Sequence, residues 1–300
     1  MEVNDFSGLD NNRYGILKNA KRIWAIGSIH GELEKLRAIH KILISKFRKG
    51  DKLVYLGNYF GDSNQNKETY DEILVARRTL MSLPEVFMPE DFVYLRGARE
   101  EMFFKLLQIH FAPDPAIVMD WLLDHGMGSS LAAYGENKTA ARAIVRQGTM
   151  ALTKWTNGIR RKIQSCPGHI ELTNNLKRAC VTDDGKLLFV HACVDTTRPL
   201  TMQKDQFWWD NGHFGDINEK FSNFSKVIRG YDHKNAGMDI DSEYTATIDG
   251  GCGRGGTCAG SRAARQRVPH PGRQGYSPCA RRPCDWRSRG GAAAPGGVGD

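Results

Sequence analysis

An α/β fold with a largely parallel sheet is what this 300-residue chain predicts, on three observations. Short apolar runs end at glycine, amphipathic helical stretches follow them, and the alternation resumes late in the chain after a long helical interruption. The first run, Arg22-Ile-Trp-Ala-Ile-Gly27, predicts a strand and its loop. Behind it, Leu33, Leu36, Ile39, Leu43 and Phe47 recur at helical spacing, which predicts a helix over Glu32 to Phe47. Lys52-Leu-Val-Tyr-Leu56 predicts a second strand ending at Gly57. Tyr70 to Leu80 predicts a second helix, and Asp91-Phe-Val-Tyr-Leu95 a third strand ending near Gly97.

Residues 99–180 change character. Glu100 to Phe111, Pro115 to His125 and Lys138 to Gln164 have helical patterns, broken by Pro113, Pro115, Gly126, Gly128 and Pro167. Strand signals return at Leu187–Val190, Lys226–Arg229 and Tyr244–Ile248, so this helical insert sits within one domain. The expected layout is an N-terminal extension over 1–20, a domain over 21–258 and a tail over 259–300. After Gly260 the chain has no Leu, Ile, Phe, Met, Lys or Glu, and Arg, Gly, Ala and Pro dominate. A tail of that composition is expected to be disordered, because it offers no core. A change of reading frame near Thr257 would produce so abrupt a shift; resequencing the gene tests that.

The formal charge of +8 divides unevenly. Residues 261–300 carry eight Arg against two Asp, hence +6, which leaves +2 for the body. A body so nearly neutral gives no case for specific nucleic-acid binding, although an Arg-rich tail attracts polyanions in general. No run of eighteen apolar residues and no basic-then-apolar leader is present, so a soluble, cytoplasmic protein without a membrane partner is expected. Seven cysteines, with no Cys-x-x-Cys pair, are expected to be reduced thiols. The close pairs Cys252/Cys258 and Cys279/Cys284 lack the spacing and histidines of a zinc site. The sequence leaves the oligomeric state open.

In open α/β sheets chemistry collects in the loops beyond the strand ends. Those loops are Gly27-Ser-Ile-His-Gly31, Gly57-Asn-Tyr-Phe-Gly-Asp-Ser63, Arg96-Gly-Ala-Arg-Glu100, Val190-His-Ala-Cys193, Arg229-Gly-Tyr-Asp-His233 and Ile248-Asp-Gly-Gly-Cys252. In order and spacing they resemble the motifs of the calcineurin-like metallophosphoesterases, bacterial serine/threonine protein phosphatases among them. The resemblance spans residues 21 to about 256. It implies a four-layer α/β/β/α sandwich, with helices on both outer faces and the helical insert over one rim.

The resemblance also implies two divalent ions, Mn, Fe or Zn, which activate a water for attack on a phosphate ester. Most of the implied ligands are replaced. Ser28 and Asn58 stand where the family has aspartates, Ala98 where it has asparagine, and Tyr231 where it has histidine. His30 and His191 are retained, so His30, Asn58 and His191 are the candidate metal positions. Arg99 replaces the histidine that helps protonate the leaving group. A guanidinium about 4 Å from a divalent ion, at an effective dielectric of about 20, would repel it by roughly 8 kcal/mol. Gly61 and Asp62 replace an aspartate–arginine pair.

Full metal occupancy is therefore not expected. The reading taken forward is a degenerate phosphoesterase, a pseudophosphatase that binds a phosphorylated ligand or protein through His30, Arg96, Arg99 and His191. Guanidinium forks match phosphate oxygens; the plain alternatives are a structural ion pair for Arg96 and histidines satisfied by carbonyls and water. A second reading is an active metal-dependent phosphoesterase acting on phosphoproteins or dinucleoside polyphosphates, with Asp62, Asp232 or His233 as substitute ligands. A third is an interaction module working through the insert. Phe207-Trp-Trp209 is expected to be wall packing, and Cys193 a small side chain filling a loop.

Overall fold

A computed structural model describes residues 9–209, 212–234 and 237–264, with the backbone alone for 261–264. Cys279 and Cys284 lie outside these residues, as does most of the expected tail. The described residues all fall in one structural unit.

The strands form two sheets. One carries β1 (Tyr14–Leu17), β5 (Ala179–Thr182), β6 (Leu187–Val190), β7 (Lys226–Arg229) and β8 (Thr245–Thr247), in the order β1-β5-β6-β7-β8. The other carries β2 (Arg22–Ile26), β3 (Asp51–Tyr55), β4 (Phe92–Tyr94) and β9 (Gly260–Ala264), in the order β4-β3-β2-β9. Pairing is parallel except at β5–β6 and β2–β9.

Why the strands look uniformly apolar follows from the layers. Side chains alternate across a strand, and here both faces are covered. Trp24, Leu53, Tyr55, Phe92 and Tyr94 face an outer core with the helices. Their neighbours Ile23, Ala25, Val54 and Val93 face inward, against Cys180, Phe189, Ile228 and Ala246 of the other sheet. The outer face of the five-stranded sheet, with Val181, Leu188, Val190 and Val227, packs on Phe207, Trp208, Phe214 and Phe221.

The outer layer on the four-stranded side holds α1 (Leu33–Lys46) and α2 (Asn66–Met81), with the insert helices α3 (Ala98–Leu107), α4 (Pro115–Leu122), α5 (Gly128–Ala132), α6 (Lys138–Val145), α7 (Thr149–Gln164) and α8 (His169–Asn174). On the five-stranded side the outer layer is a loop segment with 3-10 turns at Leu200–Met202, Asp205–Phe207 and Phe214–Asp216. The sandwich is as expected, and its fourth layer is built from single turns.

Several boundaries differ from the sequence reading. β1 lies inside the stretch set aside as an N-terminal extension, because its pairing with β5 is long-range and four residues carry too little pattern. β5 falls where the insert was expected to end. α2 begins at Asn66, since its polar first turn is fixed by the Asn66 amide bonding the Gly61 N–H and carbonyl. The helix expected over 138–164 breaks at Gly148, whose φ is 90°.

β9 is the correction to the tail. Its backbone pairs antiparallel with β2 from Gly260 to Ala264. An edge strand offers unpaired N–H and C=O groups to any extended segment, so apolar composition is not required of the segment that docks. The reduced-thiol reading is also corrected at one pair, because Cys252 and Cys258 are disulfide-bonded.

At the carboxyl ends of β2 and β8 the sheets nearly touch. A Cβ on Gly27 would lie 1.9 Å from the Ile248 carbonyl oxygen, so only glycine fits there. That approach gathers the strand-end loops of both sheets into one cluster.

Candidate functional site

The cluster is organised by hydrogen bonds between loops. Ile29 and His30 donate backbone N–H bonds to the Asn58 carbonyl at 3.0 and 2.8 Å, and Ser28 to the Gly230 carbonyl at 2.9 Å. The buried Glu100 carboxylate accepts from the N–H groups of Asn58, Tyr59, Phe60 and Gly97, pinning the loops after β3 and β4 together. Burial raises the pKa of Glu100, opposed by those N–H bonds. His30 and Asn58 have φ of 55° and 53°, a left-handed conformation in which non-glycine residues are uncommon. Such strain persists only where the surroundings over-determine it, and it gathers at functional sites.

Tyr231 lies beside both retained histidines. Its ring stacks on His191, with centroids 5.3 Å apart and planes 6° apart, and sits tilted 5.8 Å from His30. The Ser28 hydroxyl and the Nε2 atoms of His30 and His191 are buried and meet no hydrogen-bond partner among the described residues.

The state of His191 follows from its other nitrogen. Nδ1 lies 2.6 Å from the Leu56 carbonyl oxygen, which can only accept, so Nδ1 carries the hydrogen. Burial pushes the His191 pKa down to about 4, against the effect of that bond. The ring is thus neutral near pH 7 and Nε2 presents a lone pair. His30 is pushed down to about 3, by burial first and then by Arg99, His191 and Arg254. Burial raises the Tyr231 pKa, opposed by Arg254 and Arg99, so its phenol keeps its proton at neutral pH.

The two arginines expected in the pocket are placed differently. Arg96 bonds Glu101 at 3.1 Å and lies over the rings of Phe104 and Trp208, so the structural ion pair describes it and it is not part of the cluster. Arg99 bonds both oxygens of Asp62, at 3.0 and 3.4 Å, and the His125 carbonyl of the insert at 2.7 Å. It bridges the site to the insert, while its charge still acts on His30. Asn58 Oδ1 accepts the Arg99 backbone N–H at 3.0 Å.

Sequence reasoning missed Arg254. Its Nη2 bonds Asp249 and the Asp232 carbonyl, each at 2.8 Å, and its guanidinium lies 5.2 Å from the Tyr231 ring centroid. It is carried by the loop closed by Cys252–Cys258. In that loop Gly253, φ 78°, packs so tightly that a Cβ would lie 2.4 Å from the His30 Cβ. The available signal was proximity, since Arg254 follows the Ile248–Cys252 motif by two residues.

The donor set does not fit a dinuclear metal centre. Two candidate substitutes are engaged elsewhere, Asp62 with Arg99 and Asp232 with Arg229 at 3.2 Å, and the third, His233, is exposed. Among the described residues, no three His, Cys, Asp or Glu side chains group as metal ligands. Cys193 is buried in the outer core, and Phe207 and Trp208 form wall packing there.

The assembled architecture can be set beside known structures. A cold-active protein tyrosine phosphatase is similar at a TM-score of 0.50 and 9% identity, over 84% of this chain and 76% of that one. The chain shares the fold of that phosphatase. A candidate diadenosine tetraphosphatase (TM-score 0.49, 14% identity, 83% of this chain and 93% of the other) also resembles it. So does a protein serine/threonine phosphatase from Saccharomyces cerevisiae (TM-score 0.43, 12% identity, 79% and 70%). No protein-family model and no curated protein matches the chain. At these identities the likeness is one of fold, and the strand-end cluster of this chain has to be understood from its own residues.

Proposed function

We propose that this protein uses a phosphoesterase fold to bind a phosphorylated ligand or protein at the His30–Tyr231–His191 cluster, without a dinuclear metal centre. The observation that carries the reading is the pair of buried, partnerless Nε2 atoms on the two histidines flanking Tyr231. An unsatisfied buried polar atom costs about 1–3 kcal/mol, so two of them in strained, tightly held loops suit a ligand site better than packing. The local charge favours an anion: the Arg99 and Arg254 fields that depress His30 also attract phosphate. A monoprotonated phosphate supplies the O–H that the His191 Nε2 lone pair accepts. Gly253 packs on His30 and Arg254 lies beside Tyr231, so the 252–258 loop forms one wall of the cluster.

Fluorescence anisotropy with a phosphoserine peptide and its unphosphorylated twin tests this reading. The expected result is phosphate-dependent binding that weakens at least tenfold in Arg254→Ala, with no hydrolysis of an aryl phosphate in added Mn²⁺ above a His30→Ala/His191→Ala blank. Two metal ions per chain with histidine-dependent turnover overturn it.

One observation favours the second reading, an active metal-dependent phosphoesterase. The neutral His191 ring, with Nδ1–H held by a carbonyl, is the tautomer a metal ligand needs. Mn, Fe or Zn held by His30 and His191 would then polarise the ester. The third reading, an interaction module working through the insert, predicts that neither Arg254→Ala nor the histidine substitutions change partner binding. No helix among the described residues is long and apolar enough to cross a membrane. A cytoplasmic location is part of the same proposal, with the Cys252–Cys258 disulfide reducible there; recovery of the protein in a secreted or membrane-enclosed fraction would count against it.

A further inference from the structure

Away from the strand-end loops, at the edge where β1 and β4 close their sheets, lies a cavity of about 710 Å³. That is the size of a small-molecule site. Residues of β1, β3, β4, α2 and α8 line it, so its shape is set by the fold and not by one loop.

Five cations contribute to the wall: Lys18, Lys52, Arg77, Arg78 and Lys177. Two carboxylates, Glu90 and Glu171, oppose them. Lys52 is paired with Asp91, which leaves four cations facing two carboxylates, a surplus of two positive charges. Lys177 donates to the carbonyls of Asn11 and Asn12 at 2.7 and 3.4 Å, and burial lowers its pKa, partly offset by Asp10. Its charge is thus held at a cost that an incoming anion would relieve.

Two polar groups of the wall are unsatisfied. Tyr94 is 7% exposed and its hydroxyl meets no partner among the described residues, nor does the buried Nε of Arg77. The apolar part of the wall comes from Leu74, Phe92 and Val93.

We infer that this cavity binds a small phosphomonoester, a phosphate dianion on an apolar or aromatic body of nucleoside-monophosphate size, drawn by the cations of the wall and held by Arg77 and Tyr94 once the Arg77 side chain turns outward and uncovers the enclosed Tyr94 hydroxyl. The charge surplus of two matches the −1.5 to −2 that a phosphomonoester carries near pH 7. A guanidinium fork and a phenolic O–H are suitable donors to its oxygens. The site is separate from the His30–Tyr231–His191 cluster and does not depend on what that cluster does.

Calorimetric titration of the full chain with AMP, adenosine and inorganic phosphate tests the inference. AMP is expected to saturate one site at least tenfold more tightly than adenosine or phosphate alone, and to weaken with added salt. Arg77→Gln should weaken AMP at least tenfold. Tyr94→Phe should weaken it about fivefold, the worth of one hydrogen bond, without lowering the melting temperature, because the hydroxyl has no partner to lose. In a His30→Ala/His191→Ala background, which takes the strand-end cluster out of play, an AMP site that Arg77→Gln weakens should remain. Absence of saturable AMP binding, equal affinity for adenosine, indifference to both Arg77→Gln and Tyr94→Phe, or loss of binding in the histidine variant would each overturn it.

Discussion

Two regions of this molecule bury histidines in opposite ways. Within the helical layer, His40 is held on Nδ1 by Glu72 at 2.7 Å and on Nε2 by the Tyr55 hydroxyl at 2.8 Å. His169 is held on Nε2 by Asp71 at 2.9 Å and on Nδ1 by the Tyr134 hydroxyl at 3.0 Å. The consecutive acids Asp71 and Glu72 of α2 thus tie down one histidine on α8 and another on α1. At the strand ends, His30 (8% exposed) and His191 (0%) are buried too, yet each leaves Nε2 without a partner among the described residues. At these two pairs, His40 and His169 have both nitrogens satisfied, whereas His30 and His191 sit among strained and cationic loops; His110 of the insert, whose buried Nδ1 also meets no partner among the described residues, belongs to neither pair. The contrast separates the two pairs of buried histidines without reference to any relative.

The largest effect expected from that contrast is on stability. His40→Leu leaves the buried Tyr55 hydroxyl without its partner and the Glu72 carboxylate with Arg37 alone, and should cost about 3–5 kcal/mol in denaturant unfolding. His30→Leu, which removes an unsatisfied atom, should cost no more than about 1 kcal/mol. Equal losses at the two positions would erase the distinction.

Acid should act next, and through the strand-end pair. The folded pKa values of His30 and His191 are depressed to about 3 and about 4, from 6.5. The unfolded chain therefore binds these protons first as pH falls below 6.5, and the stability held at neutral pH is lost down to the folded values. At pH 5 that amounts to about 2 kcal/mol per histidine. Melting curves between pH 7 and 5 should flatten in His30→Asn/His191→Asn; an unchanged slope would mean the rings are not held neutral.

Arg254→Ala should cost about 1–3 kcal/mol, because the buried Asp249 carboxylate loses its cation. It should also raise the His30 pKa, read from the pH dependence of its ring proton shifts; a fall in that pKa would contradict the placement of Arg254. Smallest of all, Asp62→Asn should change stability by less than about 1 kcal/mol, as the Asp62 side chain is 70% exposed. A larger loss would show that the Arg99 bridge is needed to hold the insert.

Much of this architecture was legible in local pattern. Strands β2, β3, β4, β6 and β7 stand out because burial on both faces makes them short apolar runs, all but β6 leading into a glycine, and α1 because its apolar residues keep one face. Local pattern failed at β1, β5 and β9, which are short and exist through long-range pairing. The candidate site divides in the same way. His30, Asn58 and His191 were found because each lies in a strand-end loop of recognisable spacing, whereas Arg254, its Asp249 partner and the disulfide-closed loop were not.

The order of the strand-end loops and the replacements within them, by themselves, determined the fold class and the loss of the expected carboxylates. Only the tertiary structure decided that Arg96 turns away to Glu101, that Arg99 bonds Asp62 and the insert, and that Arg254 covers Tyr231. The physical reason is range. Chain pattern fixes where a backbone turns, but the direction of a long charged side chain depends on which carboxylate, carbonyl or ring lies nearest once distant segments have packed together.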